Sequence, residues 1–145
     1  MDQAIVEDLV SEVNQIYFDA GTGIQFYIDE VDFQNNEGYR TGINNFLDMY
    51  NLFDNERESG AMNVHLLRSS GFNNSGYAIT PYYNKFDIYQ SITEGVIWSC
   101  YVTTSQSLDE VSVTLAHELG HTLGLLHTHH PGRNFSLISN MRMAQ

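Results

Sequence analysis

The sequence predicts a mixed α/β domain of the α+β kind, a mixed sheet with a helix on its face, and three observations carry that expectation. Segments near the start, before residue 54 and after residue 107 place apolar residues at three- and four-residue spacing, and short apolar runs lie between them. Helical and extended segments alternate with no internal repeat. At 145 residues, 42% hydrophobic and 12% aromatic, the chain has material for one buried core and not for two, so residues 1–145 are expected to form a single domain.

From Asp2 to Phe18, the residues Ile5, Val6, Leu9, Val10, Val13, Ile16 and Tyr17 recur at helical spacing with Glu7, Asp8, Glu12 and Gln15 between them. This predicts an amphipathic helix that Gly21 and Gly23 end. Ile24, Phe26 and Ile28 then alternate before the phase slips to Val31 and Phe33, which predicts a strand with a bulge near Asp29. Ile43, Phe46, Leu47, Tyr50 and Phe53 predict a second, shorter helix, followed by a polar surface loop over residues 54–60. Residues 62–67 are a compact apolar run, 69–76 a Ser/Gly/Asn loop, and 77–80 a short extended piece stopped by Pro81. Residues 95–102 form the most apolar strand. Ser107-Leu108-Asp109-Glu110 is a capping box that opens a last helix, whose apolar arc is Leu108, Val111, Leu115, Leu119 and Leu123, with Gly124 as its stop.

Six Lys plus Arg against eighteen Asp plus Glu give a formal charge of -12, a field that repels phosphate backbones and argues against nucleic acid as a partner. All but one of the acidic residues precede Ala116. They could draw cations such as calcium, although no calcium motif accompanies them, and a solvated acidic surface is the simpler reading. No run approaches the roughly 18 apolar residues of a spanning helix, so no membrane span is expected. The start, Met1-Asp2-Gln3-Ala4, has no signal-peptide character, which does not place the protein in the cytosol. A single cysteine, Cys100, excludes an internal disulfide framework and reads as a buried strand thiol.

The chemistry concentrates in one segment. His117 and His121 lie one helical turn apart, opposite the apolar arc, with about 5–6 Å between their Cβ atoms, so their imidazoles can converge on one metal ion. Gly124 can take the positive φ that turns the chain and brings His127 back as a third ligand. Three neutral nitrogens leave a fourth position for water, the arrangement of a catalytic Zn2+ site rather than a closed structural one. Glu118, beside the first histidine, is placed to act as general base on that water and to pass its proton to a leaving amine. The predicted reaction is peptide hydrolysis; the alternative is a zinc-containing module that holds a peptide without cutting it. His129 and His130 read as an exposed pair in a Pro-Gly loop, and His65 as a partnered structural histidine in an apolar strand. Tyr82 and Tyr83 are either packing residues or substrate contacts.

HELGHTLGLLH, residues 117–127, resembles the extended zinc motif of the metzincin metallopeptidases. Phe18-Asp19-Ala20-Gly21-Thr22-Gly23-Ile24-Gln25-Phe26, Met62-Asn63-Val64, Gly76-Tyr77-Ala78 with Pro81, Gly95-Val96-Ile97 and His127-Thr128 look like the pappalysin branch, and together these pieces cover most of residues 14–130. The resemblance implies a twisted mixed sheet over an active-site helix, with residues 1–127 as an upper and 128–145 as a short lower subdomain. It implies a cleft that holds a peptide or protein substrate extended along an antiparallel edge strand, for which residues 77–80 are the candidate rim. It also implies a secreted protein and a methionine turn beneath the zinc, where Met141 is the best match and Met143 the competitor; a monomer is expected. Pappalysin-like proteins usually carry a longer, cysteine-containing and often calcium-binding segment before that methionine, and a Tyr two residues after it. Here thirteen residues separate His127 from Met141, and Met143 takes the Tyr position. The lower wall is therefore short or missing, as in a minimal enzyme, a truncated chain or a degenerate member without efficient turnover.

Overall fold

The computed structural model describes residues 1–35, 43–58, 60–71, 74–79 and 98–127. Helix α1, Gln3–Asp19, starts where the Asp2 carboxylate accepts the Ile5 N–H at 3.1 Å, and it buries Leu9, Val13 and Tyr17 as one stripe. Gly21 and Gly23, both at φ +69°, then turn the chain back, as expected.

Residues 24–33 carry no strand in the described structure, which corrects the sequence expectation. Asn14 of α1 stands where a partner strand would: its side-chain amide accepts the Phe26 N–H at 2.7 Å and donates to the Phe26 carbonyl at 2.8 Å. That satisfies the backbone of one residue, whereas a strand needs a row of partners. The alternation reflects half-burial of Phe26 and Ile28 between exposed neighbours, with Phe26 set edge-on to Tyr17 at 5.0 Å.

Helix α2, Phe46–Asn55, is capped by Asn45, whose side chain accepts the Asp48 N–H at 2.9 Å. Its buried face is Met49, Leu52 and Phe53, while Phe46, Leu47 and Tyr50, expected inside, are 53%, 67% and 43% exposed. The inner face is thus rotated by about one residue, roughly 100°, from the predicted one. Phe46 and Tyr50 lie at its border, where an aromatic ring packs with one edge in water; Phe46 meets Tyr77 edge-on at 5.5 Å. Ile43 is fully buried but precedes the helix.

Strands β1 (Asn63–Leu67), β2 (Gly76–Ala78) and β3 (Ser99–Thr103) form a sheet in the order β1-β3-β2. β1 runs parallel to β3, pairing Val64 with Cys100, and β2 runs antiparallel to it, pairing Gly76 with Val102. All five residues of β3 are buried because it is the central strand, covered on both faces, which is why it reads as a near-continuous apolar run. On one face Cys100, Val102 and Ala78 pack with α1 and with helix α3, Leu108–Thr122. On the other, Tyr101, Leu67 and Ile79 pack with Ile43 and α2. The mixed α/β architecture expected from the sequence is therefore present among the described residues as a small mixed sheet between helices, consistent with a metzincin-like domain. No helix among them is long and apolar enough to cross a membrane. Cys100 is free and 1% exposed, and burial pushes its thiol well above the usual range, so it is an inert core residue as predicted.

His65 differs from expectation. It stacks on Phe53 at 5.3 Å, and its Nε2 is buried with no hydrogen-bond partner among the described residues. Burial pushes its pKa from 6.5 down to about 4, against a weaker opposing pull from Glu56. The neutral ring is thus favoured in the fold while the unfolded chain takes a proton near 6.5, so this contribution to stability is intact above pH 6.5 and drains away as pH falls toward 4, by about 3 kcal/mol. Denaturant titrations of parent and His65→Phe between pH 7 and 4 should show the parent losing more stability; parallel pH profiles would refute it.

Candidate metal centre

α3 begins at the predicted capping box. Ser107 Oγ accepts the Glu110 N–H at 3.4 Å, and the Glu110 carboxylate accepts the Ser107 N–H at 3.1 Å and its hydroxyl at 2.8 Å. Val111, Leu115 and Leu119 bury the helix against the sheet and α1, whereas Leu108 and Leu123, predicted as the ends of the arc, are 36% and 38% exposed because they lie in the first turn and at the cap, beyond the sheet's reach. The Tyr17 hydroxyl donates to the Ala116 carbonyl at 2.9 Å and ties α1 to α3 one residue before His117. Sequence reasoning missed this link, for which the only signal is a tyrosine on the inner stripe of α1.

The helix ends in a Schellman turn. The Gly124 N–H bonds the His121 carbonyl and the Leu125 N–H the Gly120 carbonyl, both at 2.9 Å, with Gly124 at φ +98°. A side chain at that φ is strained, so glycine is what allows the reversal that returns His127 toward the helix.

The three predicted histidines meet. Nε2 of His121 lies 3.0 Å from that of His117 and 2.8 Å from that of His127, and His117 and His127 are 3.0 Å apart. Nδ1 of His121 donates to the Leu125 carbonyl at 2.6 Å, which leaves its Nε2 as a lone pair aimed at the other two rings. Each neutral imidazole has one N–H, so three nitrogens cannot satisfy one another around this triangle, and together they form a group that could hold a metal ion. Three imidazole nitrogens only 2.8–3.0 Å apart would together offer a nitrogen donor set of the kind zinc takes, with His117, His121 and His127 holding the ion. The donor set fits zinc.

Glu118 is 7% exposed, and among the described residues its carboxylate receives no hydrogen bond. Burial pushes its pKa from 4.5 up to about 7. Glu118 follows His117 directly on α3, and its carboxyl, raised by burial, can take or give a proton near neutrality in the metal-free protein. Met141 and Met143 lie outside the described residues, as do Thr80, Pro81, Tyr82, Tyr83, residues 95–97, His129 and His130.

Compared with protein families, the chain matches Reprolysin_5, metallo-peptidase family M12, over residues 2–139, and it belongs to that family. No curated protein and no solved structure matches it. The matched span contains all four residues of the centre.

Proposed function

We propose that this M12 chain is a zinc-dependent endopeptidase of metzincin type, secreted and monomeric, that cleaves a peptide or protein held extended in a cleft. The observation that carries the reading is the convergence of the His117, His121 and His127 nitrogens beside a buried carboxyl, on a chain of a metallopeptidase family. In this reading the three histidines hold the ion. When bound, zinc supplies a Lewis acid that polarises a carbonyl and acidifies water. Glu118 takes a proton from the attacking water and returns it to the leaving amine, and the burial of its carboxyl, which favours the protonated form, supports that role. β2 is an antiparallel edge strand, and its outer edge, unpaired among the described strands, supports its reading as the rim that adds an extended substrate by backbone hydrogen bonds. Met141 is the proposed methionine beneath the site, and the short upstream pieces support kinship with the pappalysin branch within the metzincins. M12 members are often extracellular, which supports secretion.

Digestion of a mixed peptide library by zinc-loaded protein, read by mass spectrometry beside a chelator-treated sample, tests this reading. New termini that vanish with chelator are expected. Intact peptides despite one zinc per chain would favour the peptide-binding or degenerate reading instead.

A further inference from the structure

We propose that Gly76 is a positioning residue for Glu118: the missing side chain lets the backbone of β2 close on the glutamate's methylenes and so sets where its carboxylate stands. The inference rests on the proposed peptidase reading. No hydrogen bond orients the Glu118 carboxylate among the described residues, so what its aliphatic stem packs against decides its direction. A Cβ at residue 76 would lie 2.9 Å from the Tyr101 carbonyl oxygen, 3.0 Å from Glu118 Cγ and 3.1 Å from Thr114 Cγ2. These contacts are too close for all three neighbours to stay in place.

Which neighbour yields is decided by how each is held. The Tyr101 carbonyl belongs to the central strand, paired on both sides. Thr114 is held on α3 by its hydroxyl, which donates to the Glu110 carbonyl at 2.9 Å. The Glu118 side chain has rotatable bonds and no hydrogen bond among the described residues, so as residue 76 is pressed away from the Tyr101 carbonyl it is the Glu118 stem that changes direction most. None of the three atoms nearest this Cβ belongs to a histidine. Position 76 therefore bears first on the stem of the carboxylate, and it does so from the strand proposed to bind substrate.

The test is Gly76→Ala, with Glu118→Ala as reference, each loaded with Zn2+ for kinetics and Co2+ for visible spectroscopy. Gly76→Ala is expected to bind one ion per chain with parental affinity and to lose at least about tenfold in kcat with KM little changed, since the outer edge of β2 is intact. Its cobalt spectrum should move in the direction that Glu118→Ala moves it. Gly76→Ala/Thr114→Ser, which removes the Thr114 methyl and keeps its hydroxyl, should recover part of the rate and of the parental spectrum, and it also serves if the single variant folds poorly. A parental kcat and cobalt spectrum in Gly76→Ala would overturn the proposal. So would loss of rate together with ion binding in both variants, which would make Gly76 a sheet-packing residue only. An inactive zinc-loaded parent would refute the peptidase reading, while the cobalt spectra would still decide the placement of Glu118.

Discussion

Glu118→Gln is expected to bind zinc as the parent does and to lose at least about a hundredfold in kcat/KM, the lower end of what a positioned general base contributes. The substitution keeps the shape of the side chain and removes its capacity to take a proton. The carboxyl is 7% exposed and receives no hydrogen bond among the described residues, so the fold gains nothing from its charge. Metal-free Glu118→Gln should therefore be at least as stable as the metal-free parent at pH 8, where the parent buries a carboxylate. Activity and stability would then move in opposite directions, as they do where a costly group is retained for chemistry. Parental turnover in the variant, measured on a substrate drawn from the library digest, would remove Glu118 from the mechanism.

His121→Ala is expected to weaken zinc binding by roughly 10²–10³-fold, the equivalent of about 3–4 kcal/mol for one ligand of a zinc site. The fold also fixes the protonation state of the His121 ring, through the 2.6 Å bond from Nδ1 to the Leu125 carbonyl. Its loss removes one nitrogen from the triangle and one hydrogen bond from the turn that returns His127. The sheet and its two flanking cores include no part of this ring, so the variant should keep its fold. Competition against a zinc-responsive dye measures the affinity, and circular dichroism checks the fold. Undiminished affinity would mean that the ion is held elsewhere.

The metal centre was legible in the sequence because its determinants are local. A capping box fixes where α3 starts, spacing fixes which histidines share a face, and one glycine fixes how the helix ends; none of these depends on distant contacts. The central strand was legible for a related reason, since burial on both faces leaves an apolar run. Residues 24–33 misled because alternation records which side chains are half-buried and is silent on whether a backbone partner exists; here the partner is one asparagine. On α2, periodicity found the helix but weighted aromatic border residues over Met49 and Leu52, which turn out to face the core. Tyr17 and Gly76 were invisible as positioning residues, because each acts through a contact far away in sequence, at Ala116 and at Glu118.

The three rings proposed to hold the ion lie within eleven residues, 117–127, on one helix end and one reversed turn. Closing so short a segment costs little chain entropy, and the geometry draws on no strand of the sheet. An ion in this place would work as a clasp on one stretch of chain and not as a rivet through the whole molecule. Its removal would be expected to open the clasp at the end of α3 and to leave the sheet and both cores standing.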